Sequence, residues 1–346
     1  MNFIDNIEIK NFKSIRHQKI EGCKRINVFL GYPNVGKSNI LEAISLMVYA
    51  KNSFINLKEL CRYESLINVY NDGDNSKDAE VWIGDLKLSL VYHSEQHGQI
   101  ILEKISRQGG LLFHDPQVKR QLSVNSVGEV RFESGGINEP EVSDIKKYEF
   151  RSNTTISKNN AKNLEVPFGQ NLPLVLRHNK SLRQDCGELF SEYDLKLIFD
   201  KDDKLVVQKQ LDEFTAFQFS FSQVAETLQR LIFNKAAIAS NEKTVLLFEE
   251  PEAHMFPPYI SKFTSDIIFD KNENQYFLTT HSPYVVNDFM ENLKKEELSI
   301  YTVGYEKLNG ETLIKRLSDE ELHDIYQYGV DLFLNLENYL PNAQQQ

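Results

Sequence analysis

Eight residues near the start of the chain limit its fold more than any other stretch: Gly31-Tyr32-Pro33-Asn34-Val35-Gly36-Lys37-Ser38, with Asn39 directly after them. The apolar run of Ile26, Val28, Phe29 and Leu30 leads into this segment and reads as a strand. Behind it, Ile40, Leu41, Ala43, Ile44, Leu46 and Met47 recur at helical spacing. A strand, a glycine-bounded loop, Lys-Ser and a helix make the arrangement that cradles phosphate. Gly31 and Gly36 let backbone N–H groups turn inward toward phosphate oxygens. The helix opening at Lys37 adds the positive end of its dipole. Lys37 can reach the β- and γ-phosphates of a nucleoside triphosphate, and the Ser38 hydroxyl can hold Mg²⁺. Gly31, Asn34, Val35, Gly36, Lys37, Ser38 and Asn39 are therefore the expected nucleotide-binding residues.

The remaining composition narrows the setting. A length of 346 residues gives room for one large domain or two ordinary ones, and 41% hydrophobic with 26% charged residues is a globular balance. No apolar run approaches the length of a membrane span, and Met1 to Asn6 lack the basic-then-apolar pattern of a secretory signal. Cys23, Cys61 and Cys186 are isolated, which suits a reducing cytoplasm better than a disulfide framework or a zinc site. A net charge of -11 argues against uniform coating of nucleic acid. One basic stretch stands out: Lys146, Lys147, Arg151, Lys158, Lys162, Arg177, Lys180 and Arg183, against Glu149 and Glu165. It reads as a solvated loop-rich insertion, a DNA or RNA contact, or a dock for an acidic partner.

Taken in order, residues 3–10 alternate as a strand that runs into Asn11-Phe12-Lys13-Ser14-Ile15. A polar, partly helical stretch follows the phosphate-loop helix to about residue 70, and Asn71 to Ser76 form a loop. Val81–Tyr92 and Ile100–Ile105 read as strands of antiparallel hairpins, the second lying beyond a turn at His97-Gly98. From about 107 to 200 the pattern is mixed, broken at Gly109-Gly110, Gly135-Gly136 and Asn159-Asn160. A helix is expected from Ser222 to Ala239, a buried strand at Thr244–Phe248, a helix near 258–269 and a buried strand at Gln275–Thr280. The tail reads as a hairpin from Leu298 to Leu317 turning at Asn309-Gly310, then an acidic helix from Asp319 to about Leu340. Alternating buried strands and helices, with the site at strand ends, make an α/β fold.

A phosphate loop alone does not separate kinases, GTPases and ATPases. The buried strand that ends in Glu249-Glu250 places two adjacent carboxylates at the edge of a core sheet, where they repel unless a cation or a bound water compensates. Glu249 is assigned to Mg²⁺, through a water, and Glu250 to polarising the attacking water. Thr280-His281-Ser282-Pro283 ends the next strand, where the His281 imidazole can hydrogen-bond the γ-phosphate.

The phosphate loop, Phe248-Glu249-Glu250-Pro251-Glu252-Ala253-His254 and Thr279-Thr280-His281-Ser282-Pro283 together resemble the ABC-type P-loop ATPases of the RecF, SMC and overcoming-lysogenization-defect (OLD) group. They look closest to the OLD-like "AAA" ATPases of bacterial defence operons. Asn11-Phe12-Lys13-Ser14-Ile15 matches that group's N-terminal motif, which implies that Lys13 and Ser14 contact the nucleotide. Ser220-Phe221-Ser222-Gln223 stands at the signature-motif position, which implies that Ser222 and Gln223 contact ATP held by a second copy. The resemblance covers residues 1–50 and 215–290 strongly and the antiparallel hairpins weakly. It implies a P-loop NTPase head with an antiparallel β subdomain and an inserted mixed α/β region, ATP and Mg²⁺ as cofactors, and a homodimer or higher homo-oligomer through an ATP sandwich. The expected division is 1–105 and 211–295 for the ATPase domain, 106–210 for the insertion, and 296–346 for a C-terminal hairpin and acidic helix.

The departures carry information as well. The signature lacks the Ser-Gly-Gly core of transporters, the usual Walker B Asp is Glu249, and Asn34 sits one place later than in the RecF and SMC loop. The loop itself looks like that of translation-type GTPases, yet no Asn-Lys-x-Asp follows; Asn234-Lys235-Ala236-Ala237 lacks the Asp. The stretch after His281 is too short for the nuclease domain of OLD proteins, and no heptad run suggests SMC-type bridging. Three functions follow as expectations: an ATPase that regulates a separate effector, plausibly in anti-phage defence; a RecF-like ATPase acting on DNA; and a nucleotide-binding scaffold without turnover.

Overall fold

The structure is a computed structural model that describes residues 3–341 apart from 53, 109–110, 137–142, 153–156, 158–161 and 203. In chain order the elements are β1 (Ile7–Phe12), β2 (Ile15–Ile20), β3 (Ile26–Gly31), α1 (Lys37–Ser45), α2 (Leu57–Leu60), β4 (Ala79–Ile83) and β5 (Leu86–Ser94). Then come β6 (His97–Gln108), β7 (Leu111–Asn125), β8 (Val130–Gly135), β9 (Ile145–Tyr148), α3 (Leu172–His178), α4 (Lys180–Ser191), β10 (Leu195–Phe199), β11 (Leu205–Gln210) and β12 (Ala216–Ser220). The last third holds α5 (Glu226–Ala239), β13 (Val245–Glu249), α6 (Pro257–Ile268), β14 (Gln275–Thr279), α7 (Pro283–Asn292), β15 (Leu298–Glu306), β16 (Glu311–Arg316) and α8 (Asp319–Gln327). They gather into two compact units, one of Met1–Lys147, Thr244–Glu250 and Gln275–Gln346, the other of Tyr148–Lys243 and Pro251–Asn274.

The first unit is built on a six-stranded sheet of order β16-β15-β3-β14-β13-β9, in which β15, β3, β14 and β13 run parallel. Every residue of β3 and β14 is buried, as strands covered on both faces require. Phe29 stacks between Tyr301 and Phe277, its ring centroid 5.0 Å from the first and 6.5 Å from the second. Two polar residues enter this apolar layer because their hydrogen bonds are met. Buried Asn27 donates to the carbonyls of Tyr276 (3.0 Å) and Lys24 (2.7 Å). Buried Gln275 exchanges bonds with the Ile4 backbone, which ties the start of the chain to the sheet.

A seven-stranded antiparallel sheet, β2-β1-β4-β5-β6-β7-β8, completes this unit. In β1 the side chains of Ile7 and Ile9 are buried while Glu8 and Lys10 are half-buried, the period-2 pattern of a strand with one apolar face, and Phe12 is buried at its end. Gln18 of β2 accepts a hydrogen bond from the Ile314 N–H of β16 (3.1 Å), which joins the two sheets.

Several details differ from the sequence reading. The first strand begins at Ile7, and the Asn11–Ile15 motif spans its end, the Lys13-Ser14 turn and the start of a second strand, β2. Val81–Tyr92 is two strands, because the chain turns at Gly84-Asp85 and pairs back on itself. His97 and Gly98 are already paired within β6, so the turn lies just before them. The stretch assigned to an insertion at 106–210 supplies β7 and β8 to the antiparallel sheet before its remainder enters the second unit. The breaks expected at Gly109-Gly110 and Asn159-Asn160 fall outside the described residues. The hairpin of β15 and β16 turns as expected at Asn309-Gly310. The acidic helix α8 starts as expected at Asp319 but ends at Gln327. Ser318 and Glu321 cap its start reciprocally, and Gly329 stands just past its end.

The second unit sets helices α3, α4, α5 and α6 around one another and against a three-stranded sheet, β10-β11-β12. Phe233 of α5 meets the rings of Tyr148 and Phe150 edge-on, and Lys235 pairs with Asp266 of α6 at 2.6 Å. The helix expected from Ser222 begins at Glu226. The residues before it form a tight turn in which Ser220 accepts from the Ser222 N–H and Gln223 accepts from the Ser220 N–H.

Candidate nucleotide site

Three adjacent parallel strands end side by side. Phe29 of β3 pairs with Thr279 of β14, and Thr279 pairs with Glu249 of β13. Gly31, Thr280-His281 and Glu249-Glu250 therefore leave the sheet at one carboxyl edge, where α/β sheets hold ligands.

The loop after β3 is fixed by crowding. A Cβ on Gly31 would lie 2.3 Å from the Val303 carbonyl oxygen. Gly36 has φ +98°, and a Cβ there would lie 2.1 Å from Thr312 Oγ1 and 2.6 Å from Ser14 Oγ. No side chain caps α1, whose preceding residue is Gly36, and no acidic residue sits in its first turn. The positive end of that helix is left for an anion. Asn34 takes φ +62°, a left-handed position that Asn tolerates better than most residues. Lys37 is buried, and its ammonium donates to the Gly31 (3.1 Å) and Tyr32 (2.9 Å) carbonyls. Burial lowers the Lys37 pKa against the upward pull of Glu250 and Glu249.

Of the N-terminal motif, Ser14 joins the loop and Lys13 does not. Thr312 Oγ1 donates to the Val35 carbonyl (2.9 Å) and lies 2.6 Å from Ser14 Oγ, which also accepts from Asn39 Nδ2 (2.7 Å). Ser14, Asn39 and Val35 are thus held together by Thr312 of β16. That residue escaped the sequence reading because nothing in a hairpin strand 277 positions from Val35 signals the contact. The Lys13 ammonium instead pairs with the buried Glu42 and donates to the Arg62 carbonyl (2.7 Å). In this structure the Lys13 charge is thus met within the chain, by a carboxylate of α1.

The two carboxylates differ sharply. Glu249 Oε1 accepts from Arg62 Nη2 at 2.5 Å, its Oε2 lies 3.7 Å from Lys147 Nζ, and Ser38 hydrogen-bonds it as well. Burial alone would raise its pKa, but Lys147, the Ser38 hydroxyl and Arg62 hold it below the usual value. Glu250 has φ +43°, an uncommon backbone state for a side chain of this kind. Its N–H donates to the Thr279 carbonyl (3.1 Å), and its Oε1 lies 3.2 Å from His281 Nε2. Burial and the nearby Lys37 charge depress the His281 pKa, overriding the opposite pull of Glu250.

Ser38 and Glu249 fit a divalent cation by the chemistry of their donors: a hydroxyl and a deprotonated carboxylate in mutual contact, both hard oxygen ligands. Among the described residues no group of three or more His, Cys, Asp or Glu forms a metal cage. That accords with Mg²⁺, which takes one or two protein oxygens and fills its shell from phosphate and water.

The other expected residues lie in the second unit. Ser222 and Gln223 are exposed in the turn before α5, where Ser220 Oγ and Ser222 Oγ are 2.8 Å apart. The members of the basic stretch differ in setting. Lys147 is buried against Glu249 and donates to the Leu60 carbonyl (3.0 Å), Arg151 pairs with Glu149, and Lys158 lies outside the described residues. Cys23, Cys61 and Cys186 are buried free thiols, each pushed by burial to a pKa of about 12.

A family profile described as AAA ATPase domain matches residues 3–237. The chain belongs to the AAA ATPase domain family. It is 44% identical over 45 residues to an ATP/GTP phosphatase of Helicobacter pylori, covering 13% of this chain and 12% of that protein. It is 42% identical over 45 residues to the DNA replication and repair protein RecF of a Thermoanaerobacter species, with the same shares. The curated relatives it matches are covered over only 12% to 38% of their own lengths. The fold is that of the SMC head. A head with an extended coiled coil, bound to the C-terminal domain of ScpA derived from Pyrococcus furiosus, aligns with a TM-score of 0.51 at 13% identity, covering 94% of this chain and 99% of that one. A second SMC head, bound to the C-winged helix domain of ScpA, aligns with a TM-score of 0.50 at 14% identity, covering 92% and 99%. Within the AAA ATPase domain family the chain thus has the fold of an SMC head and a short stretch similar to RecF. Among the described residues no helix is long and apolar enough to cross a membrane.

Proposed function

We propose that this chain hydrolyses ATP at the edge formed by β3, β14 and β13, and that ATP closes it against a second copy. The observation that carries the reading is the Glu250–His281 pair, held at 3.2 Å on the strand ends beside Lys37. Lys37 and the first-turn amides of α1 bind and orient the phosphates. Ser38 and Glu249 would hold Mg²⁺, which when bound would neutralise phosphate charge. Glu250 accepts the proton of the attacking water as its oxygen bonds to the γ-phosphorus and the bond to the β-phosphate oxygen breaks. His281, kept neutral near pH 7 by burial and by Lys37, hydrogen-bonds the γ-phosphoryl group without adding a charge beside Lys37.

The exposed Ser220–Gln223 turn supplies the contact to the nucleotide of a second copy, Ser222 and Gln223 being the donors. A separate effector protein then reads the open or closed state, and bacterial anti-phage defence is the setting the motifs suggest. Support for a protein partner comes from the SMC heads with bound ScpA domains. The RecF-like alternative loses ground because Lys147, from the basic stretch, is spent on Glu249. The test is the mass of Glu250→Gln in solution. With ATP and Mg²⁺ it forms a stable dimer, and a protein that stays monomeric under those conditions rules the dimer out.

A further inference from the structure

Glu249 is held by two cations of different character. Lys147 is buried, its side chain 2% exposed and its ammonium also bonded to the Leu60 carbonyl. It is a fixed counter-charge. Arg62 lies closer, at 2.5 Å, yet its side chain is 67% exposed and can turn to water at small cost. Its direction comes from Glu42, whose side chain is 1% exposed. Glu42 Oε1 accepts from Arg62 Nε at 3.0 Å and from the Arg62 backbone N–H at 3.4 Å, while its other oxygen pairs with Lys13. A buried carboxylate thus grips one side of the guanidinium fork and leaves Nη2 aimed at Glu249.

We propose that Arg62 is a built-in competitor for the divalent cation: its guanidinium and the ion compete for the Glu249 carboxylate. The proposal rests on the reading of Ser38 and Glu249 as cation ligands. A divalent cation held by the Glu249 carboxylate, directly or through a bound water, repels a second positive group on the same carboxylate. Lys147 stays, because leaving would strand a buried charge. Arg62 leaves Glu249 Oε1 while keeping its hold on Glu42. The exposed segment that follows α2 thereby sets how much metal the site needs and changes its contacts when metal arrives.

The test measures Mn²⁺ binding, by electron paramagnetic resonance, to protein saturated with a β,γ-imido ATP analogue. Arg62→Ala is expected to tighten Mn²⁺ binding about threefold, the size of a partly exposed ion pair, and Arg62→Lys to fall between it and the parent. In protein also carrying Glu249→Gln, the Arg62→Ala change is expected to lower the melting temperature measured in a chelator by less than it does in the parent, the loss that remains being that of the Glu42 contact. Mn²⁺ binding that is unchanged or weaker in Arg62→Ala overturns the competition. If the parent holds the analogue but retains no Mn²⁺, the assignment of Ser38 and Glu249 as ligands falls, and the inference with it.

Discussion

Glu249 and Glu250 are neighbours in sequence and opposites in setting. Glu249 faces cations: Arg62 at 2.5 Å, Lys147 at 3.7 Å and the Ser38 hydroxyl, with a depressed pKa. Glu250 turns away through a left-handed backbone step and meets a neutral-leaning imidazole, with its side chain 42% exposed to water. In the proposed function one position holds positive charge and the other handles a water molecule. A single φ of +43° separates the two roles, since an ordinary strand step would send successive side chains to opposite faces of the sheet instead.

The sharpest way to break this contrast is to remove each carboxylate charge alone. Glu250→Gln is expected to slow single-turnover hydrolysis by about 10²–10⁴-fold, while Mg²⁺-dependent ATP binding stays within a small factor of the parent. Glu249→Gln is expected to abolish the Mg²⁺ dependence of binding and leave the weaker, metal-free affinity alone. Rapid-quench hydrolysis and equilibrium binding with and without a chelator separate the two. If Glu250→Gln were the variant that lost its metal dependence, the roles would be exchanged.

The imidazole gives the next largest effect and a pH signature. His281 titrates below its usual value, so it is neutral above about pH 6.5 and gains its proton only as pH falls through the lowered pKa. Its neutral form is the one the fold favours, so the stability it contributes is present above the unfolded value and is lost on acidification through the folded one. Turnover is expected to hold from neutral pH down to the ordinary imidazole range and to drop only below it. His281→Asn should reduce turnover about 10²-fold at pH 7.5, the order of losing one transition-state donor, and remove that acid limb. A pH–rate profile in which His281→Asn kept the same limb would assign it to another group.

The legible parts of this molecule were those in which chemistry and burial coincide along a short stretch. Val245–Phe248 and Tyr276–Leu278 are uninterrupted apolar runs, so both strands and the Glu249, Glu250 and His281 positions at their ends could be read directly. The Gly31–Ser38 loop was equally plain. What stayed hidden depends on long-range pairing. β7 and β8 carry many polar and charged residues, because an antiparallel sheet can leave one face to water, and they read as an irregular insertion. Arg62 and Glu42 lie in polar or helical sequence with no motif, and their meeting with Glu249 is decided by the fold. Lys13 was placed by a motif, while its charge is drawn to buried Glu42, the stronger local demand.

Thr312 tests the same contrast from the phosphate side, with the smallest expected effect. It is fully buried, donates to the Val35 carbonyl at 2.9 Å and contacts Ser14, so it braces the loop without facing either carboxylate. Thr312→Val keeps the shape and removes both bonds. The Val35 carbonyl and Ser14 hydroxyl then lose a partner in a tight site, at a cost of about 1 kcal/mol in unfolding free energy. Thr312→Ser retains the hydroxyl and should cost less. Because the loop binds ground state and transition state through the same amides, the change is expected to raise the KM for ATP a few-fold and leave kcat nearly unaltered. Urea unfolding together with steady-state kinetics checks both halves. A fall in kcat with unchanged KM would mean that Thr312 reaches the chemistry at Glu250 and His281, and that the loop and the strand ends act as one rigid site.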